Sequence, residues 1–152
     1  MSTLFSDHLL SVMIAVPFLG MVALAFIRER FWLLSTTLAI TLVNVVLAIV
    51  LWIGFDLSEQ GMQFVERVEW MPTFGIQYAV GVDGISLLLV LLTSVLPPLC
   101  VLGSWDSITS RLKAFMMLIL LVEGAMLVVF MALDAFLFFM LWEVTMIPMY
   151  FM

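Results

Sequence analysis

Residues 115–133 read FMMLILLVEGAMLVVFMAL, an apolar run with a single charged side chain, Glu123. A helix of this length rises by about 28 Å, close to the thickness of the hydrocarbon core of a bilayer. An open strand would leave its backbone groups unpaired in lipid, so the run predicts a transmembrane helix. Four further apolar runs of similar length occupy residues 8–27, 32–54, 82–103 and 135–152.

The composition of the whole chain supports the same class of protein. Of 152 residues, 66% are hydrophobic and 11% are charged, whereas a soluble domain is about half apolar and a quarter charged. We therefore predict an all-α membrane protein with about five transmembrane helices. Only five residues are Lys or Arg, which excludes a nucleic-acid binder. His8 and Cys100 are the single histidine and cysteine, so this chain alone offers no disulfide framework and no zinc, haem or iron–sulfur ligand set.

The basic residues predict how the helices are oriented. Four of the five lie in or beside the first and third loops, namely Arg28, Arg30, Arg111 and Lys113, and Arg67 lies in the second. Cytoplasmic loops carry the excess of Lys and Arg. The pattern thus predicts a multi-pass membrane protein with the first and third loops in the cytoplasm and with the amino terminus and the loop 55–81 outside.

The long outer loop contains a hairpin signal. Two segments with strand character, 63–70 and 76–80, flank a break that contains Pro72 and Gly75. We expect a short two-stranded flap on the outer membrane surface, between the second and third helices.

Two acidic residues lie deep inside apolar runs. Glu123 and Glu143 are each about 12 to 15 Å from a helix end, where a charged side chain costs on the order of 3 kcal/mol. The apolar residues of the fifth run barely offset that cost, so we expect Glu143 to face a protein or water-filled interior rather than lipid. The functional interpretation is a proton relay, since a carboxyl group that alternates between two environments takes up and releases protons. The alternative is a carboxyl group that only holds helices together.

Other polar and proline residues have simpler interpretations. Asp83 is expected to cap the third helix, and Asp134 to lie in the turn between the fourth and fifth. The pair Pro97-Pro98 should kink or end the third helix, and Pro148 should weaken the fifth near Glu143.

Several strings resemble a known family. The segment WMPTFGIQY at 70–78, GVDGIS at 81–86, Pro97-Pro98 and Ser104-Trp105 resemble chain 4, or subunit M, of NADH-quinone oxidoreductase, the respiratory complex I. The segments ALD at 132–134 and LWEVTMIPMY at 141–150 are similar to its fourth-to-fifth helix region. The resemblance covers residues 70–152 well, and the first two helices by topology.

The resemblance implies an antiporter-like proton channel in the membrane arm of the complex. Glu143 would be the principal residue of the ion path, and the family pairs the glutamate at this position with a lysine on a later helix. Glu123 is a second candidate because of its depth in the fourth apolar run. NADH, flavin, iron–sulfur clusters and quinone would bind to other subunits, leaving no cofactor in this chain. Its partners would be other membrane subunits, above all neighbouring antiporter-like ones, and the lipid bilayer.

The same resemblance predicts the division of the chain. Residues 1–112 would form an amino-terminal three-helix region, and 113–152 the start of the proton-translocating domain, which Met152 interrupts. Because the later lysines are not in this sequence, we expect the fragment not to pump by itself. Three alternatives remain open, a subunit of a multi-subunit sodium/proton antiporter, a subunit of a membrane-bound hydrogenase, and a membrane scaffold in which both glutamates only pack.

Overall fold

The structure, a computed structural model, describes residues 8–56, 58, 61–71, 73, 75–108 and 110–151. Its elements, in chain order, are α1 Leu9–Phe26, α2 Arg30–Gly54, β1 Gln63–Met71, β2 Ile76–Val82, α3 Gly84–Gly103, α4 Leu112–Met131 and α5 Ala135–Phe151. Pro72, part of the predicted turn, and Met152, the predicted interruption, lie outside the described residues.

The five predicted apolar runs all form helices, and the fold class is confirmed. Helices α1 to α4 are each 18 to 25 residues long and apolar enough to cross a membrane. Helix α5 is shorter, with 17 residues, which is at the lower end of the length that spans hydrocarbon. Helix α4 packs against all the other helices, and α3 packs against α2. The division at residue 112 stays a prediction.

The two basic loops meet at one end of the bundle, as the predicted topology requires. Arg30 donates hydrogen bonds to the carbonyl oxygens of Ile108 and Trp105, at 3.1 and 2.5 Å. Lys113 Nζ donates to the carbonyl oxygen of Ala25 at 2.5 Å. Side chains of one loop thus hold the backbone of the other, and the basic residues are bound at helix ends.

The predicted hairpin is present at the opposite end. Strands β1 and β2 pair antiparallel, with Arg67 opposite Ala79 and register shifts near both ends of β1. Strand β2 lies against the connection between α4 and α5, where the amide of Leu133 donates to the carbonyl oxygen of Ala79 at 2.8 Å and Val80 pairs with Ala132. The hairpin is therefore part of the packed fold.

A buried carboxylate in β1 joins the hairpin to the start of α1. Glu66 Oε1 accepts hydrogen bonds from the backbone amides of Leu10, at 2.9 Å, and Ser11, at 3.3 Å. Glu66 Oε2 accepts from the Ser11 hydroxyl, which also contacts the Tyr78 hydroxyl at 2.9 Å. The first amides of a helix have no partner within the helix, so Glu66 caps α1 from a distance of more than fifty residues.

The two aspartates at helix starts act as caps. Asp83 and Ser86 form a capping box at the start of α3, in which each side chain bonds the backbone amide of the other. Asp134 Oδ1 accepts from the amides of Phe136 and Leu137 at the start of α5, at 2.9 and 3.1 Å. Asp134 is thus more than a turn residue.

The prolines do not end their helices. Helix α3 continues through Pro97 and Pro98 to Gly103, and α5 continues through Pro148 to Phe151. All three proline rings are buried. Neighbouring helices therefore hold these segments in helical conformation although the prolines lack an amide donor.

Candidate functional site

Glu123 lies in the centre of the bundle and is 1% exposed. It follows Leu112, the start of α4, by eleven positions, about 16 Å along the helix axis. The next residue, Gly124, allows α1 to approach, because a Cβ atom there would lie 3.0 Å from Phe18 Cε2 and 3.2 Å from Pro17 Cγ. Helix α1 therefore packs closely against α4 at the residue next to Glu123.

Helix α2 supplies the polar partner of Glu123. Asn44 is fully buried, and its Nδ2 donates to Glu123 Oε1 at 2.9 Å. Two other fully buried polar side chains, Thr37 and Thr41, lie on the same face of α2, at the spacing of successive helical turns. Each threonine hydroxyl donates to a carbonyl oxygen of its own helix, so neither is committed to Glu123.

Sequence reasoning missed Asn44. The signal was present, because polar residues 37, 41 and 44 recur at helical spacing inside an otherwise apolar run. Such a stripe indicates a helix face that meets protein rather than lipid. It could have located the partner of one of the two acidic residues.

Two atoms of this pair have no hydrogen-bond partner among the described residues, Glu123 Oε2 and Asn44 Oδ1. An unsatisfied buried acceptor costs about 1–3 kcal/mol, and more when it is charged. A site that retains two such atoms is unusual in a well-packed protein. Each of these two atoms is thus a buried oxygen that could still take part in a hydrogen bond.

Glu143 is exposed in the described structure, and its predicted position against an interior stays a prediction. Its side chain is exposed on the surface of α5, beside a groove lined by Val144, Met146, Ile147, Tyr150 and Phe151. The buried residues of α5 are Leu137, Thr145 and Pro148, which lie about 120–200° around the helix from Glu143. The expected interior around Glu143 is thus not formed by these five helices, and the structure does not bring Glu143 into the Glu123 site.

The described residues contain no cluster of metal-ligating side chains. No group of three or more His, Cys, Asp or Glu side chains that could hold a metal ion occurs among them. Lys113 is ten positions from Glu123 along α4, about 15 Å, and its ammonium group is bound to Ala25. Within the described part of the chain, Glu123 has an amide and no cation as its polar partner.

Several known proteins named chain 4 of a quinone oxidoreductase are similar in sequence to this chain. No protein-family model matches the chain. It is 39% identical over 143 residues to the NADH-ubiquinone oxidoreductase chain 4 of Arabidopsis thaliana, which covers 93% of this chain and 29% of that protein. It is 38% identical over 148 residues to the NAD(P)H-quinone oxidoreductase chain 4 of Prochlorococcus marinus strain MIT 9303, and the match covers 93% of this chain and 26% of that protein.

A third relative has the highest of these identities over a shorter segment. The NAD(P)H-quinone oxidoreductase chain 4 1 of Synechococcus elongatus is 44% identical over 99 residues, 65% of this chain and 18% of that protein. The predicted resemblance is therefore confirmed. The chain spans less than a third of the length of these curated relatives.

Proposed function

We propose that this chain belongs to a membrane-arm subunit of a proton-pumping NADH-quinone oxidoreductase. The premise is its homology to part of chain 4 of these complexes. NADH oxidation and quinone reduction take place in other subunits, which hold the flavin, iron–sulfur clusters and quinone. This subunit couples them to proton translocation. Its partners are the neighbouring membrane subunits. The observation that carries the proposal is the similarity of 93% of the chain to chain 4 proteins.

The buried acidic residue supports a role in translocation. Glu123 is a titratable group held at mid-membrane depth between helices, and its only polar partner among the described residues is the neutral amide of Asn44. Ionisable side chains at this depth commonly belong to ion pathways. Glu123 is therefore our candidate for a proton-carrying group inside the bundle.

Glu143 has a complementary role in the proposal. Its carboxyl group lies about 12 Å from either end of α5, on an apolar surface that includes Met146, Ile147 and Tyr150. A carboxyl group at this depth is more stable against another helix than against lipid. We assign to this surface a contact with a further helix of the full-length subunit, where family resemblance places a lysine.

The orientation is also proposed. Hydrogen bonds of Arg30 and Lys113 bring the two basic loops to one end of the bundle, and the single basic residue Arg67 lies at the other. The excess of positive charge assigns the first end to the cytoplasm of a bacterial inner membrane. The hairpin and the amino terminus then lie outside.

Proton pumping by the complete complex tests the proposal. Inside-out membrane vesicles that contain the full-length subunit with Glu143→Gln or Glu123→Gln are supplied with NADH, and acidification is measured beside NADH oxidation. We expect Glu143→Gln to abolish most of the pumping and Glu123→Gln to reduce it. The matched control is Glu69→Gln, an exposed acid of the hairpin.

The outcomes separate the alternatives. Pumping that is unchanged in both variants would favour the scaffold interpretation. Sodium-driven proton exchange that continues without NADH would favour an antiporter instead. A requirement for hydrogen rather than NADH would favour the membrane-bound hydrogenase.

A further inference from the structure

The contact between Glu123 and Asn44 has one hydrogen bond where its atoms could form two. Asn44 Nδ2 donates to Glu123 Oε1, while Glu123 Oε2 and Asn44 Oδ1 are both buried and unpartnered among the described residues. An ionised carboxylate and an amide oxygen accept hydrogen bonds and cannot donate them. When Glu123 is ionised, these two oxygen atoms therefore cannot form a hydrogen bond with each other.

A single proton satisfies both atoms. A protonated carboxyl group carries one O–H donor, and a side-chain amide presents a donor and an acceptor next to each other. We propose that Glu123 is protonated in this conformation, that its Oε2–H donates to Asn44 Oδ1, and that Asn44 Nδ2 donates back to Glu123 Oε1. The two groups then form a closed pair with two hydrogen bonds.

Among the described residues, the helices around Glu123 offer no second hydrogen-bond partner to its carboxyl group. In α5, which also packs against α4, Glu143 is exposed and the hydroxyl of the buried Thr145 donates to the carbonyl oxygen of Trp142. Helices α1 and α3 carry no Asp, Glu, His, Lys or Arg, and the other charged residues of α2 and α4, Arg30 and Lys113, lie at helix starts and bind carbonyl oxygens there. The buried hydroxyls of Thr37, Thr41 and Ser94 donate to carbonyl oxygens of their own helices.

The pair makes Asn44 a positioning residue for proton transfer at Glu123, a role that rests on the proposed function. When Glu123 loses its proton, Oε2 and Asn44 Oδ1 become two facing acceptors, and the side chains must separate or admit a donor such as water. Loss of the proton thus loosens the contact between α2 and α4. Asn44 thereby ties the charge of Glu123 to the packing of two helices.

Infrared spectroscopy of the assembled complex, with full-length subunit, tests the pair directly. We expect Glu123→Gln to remove the carbonyl band of one protonated carboxylic acid. We expect Asn44→Leu to move that band to higher frequency, since the carbonyl loses the hydrogen bond from Nδ2. The control Thr41→Val removes a buried hydroxyl from the same face of α2 and should leave the band in place.

A second measurement remains informative if Asn44→Leu does not assemble. The Gln of Glu123→Gln has a donor and an acceptor, so it can reproduce both hydrogen bonds with Asn44 without a proton to release. We expect this variant to assemble and to melt at the temperature of the unmodified complex. Loss of only an ionised carboxylate band, or a large fall in melting temperature, would overturn the pair.

The two proposals can fail separately. If Glu123→Gln removes the protonated band while pumping is unchanged, the pair stands and the role of Glu123 in translocation is refuted. If pumping falls while the lost band is that of an ionised carboxylate, the role stands and the pair is refuted.

Discussion

Glu66→Ala should release the start of α1 from the hairpin. The substitution removes one carboxylate that accepts hydrogen bonds from the amides of Leu10 and Ser11 and from the Ser11 hydroxyl. Loss of an N-terminal cap costs about 0.5–2 kcal/mol, and loss of a negative charge near the helix start about 0.3–1 kcal/mol. Because Glu66 supplies both effects and is buried, we expect Glu66→Ala to lower the free energy of local opening at the start of α1 by about 2 kcal/mol.

Hydrogen–deuterium exchange of the detergent-solubilised complex measures this opening. A change of about 2 kcal/mol corresponds to roughly thirtyfold faster exchange at the amides of Leu10 and Ser11. Glu66→Gln keeps an acceptor but loses the charge, so its exchange should be intermediate. The control is Glu69→Ala, which removes an exposed acid of the same strand. Unchanged exchange in Glu66→Ala, or an equal effect of the control, would refute the capping role.

Three further perturbations have expected outcomes in melting experiments on the complex. Asp83→Ala should lower stability by about 0.5–2 kcal/mol through loss of the α3 cap. Hydrogen bonds from Ser86 hold the pKa of Asp83 below its ordinary 3.8. The stabilisation by the cap is therefore present above pH 3.8 and is lost as the pH falls through the pKa of the folded state. Equal stability of the variant and the parent at neutral pH would contradict the capping role of Asp83. Gly124→Val should cost about 1–3 kcal/mol by overpacking against Phe18, whereas Gly103→Ala, with open space around it, should not. Burial raises the pKa of Tyr78 above its ordinary 10.0; a hydrogen bond with Ser11 opposes this shift, and the charge of Glu66 adds to it. The stability of the complex should therefore fall as the pH rises above about 10. Tyr78→Phe should abolish that pH dependence.

The large features of the fold follow from one-dimensional signals. A run of about twenty apolar residues has few options in a bilayer, so the helices were predicted within a few residues of their bounds. The hairpin was predictable because the break at Gly75 separates two segments with strand character, and Gly75 has the positive φ, 67°, that such a turn requires. In both cases the decisive information is local to the segment.

The environment of the acidic residues could not be obtained in this way. Whether Glu123 or Glu143 is buried depends on how each helix is rotated about its axis, and that rotation is determined by neighbours far along the chain. The apolar content of the runs suggested that Glu143 most needed shelter. The structure instead buries Glu123, because α4 is surrounded by the other helices whereas α5 contacts mainly α4 and β2. Charge alone gave no sign of Asn44.

The effect of the prolines on the helices also could not be predicted from the local sequence. Proline removes one hydrogen-bond donor from a helix, which predicts a break when the helix is considered alone. Pro97, Pro98 and Pro148 are buried against neighbouring helices, and this packing outweighs the lost bonds.

The two glutamates differ in what a proton would change around them. Glu123 is enclosed, and its polar partner is an amide that pairs fully with a carboxylic acid but only half with a carboxylate. Glu143 is exposed on a face of α5 that points away from the buried residues of that helix. The two carboxyl groups lie on adjacent helices and have different surroundings in the described structure, since one is enclosed by the bundle and the other is exposed.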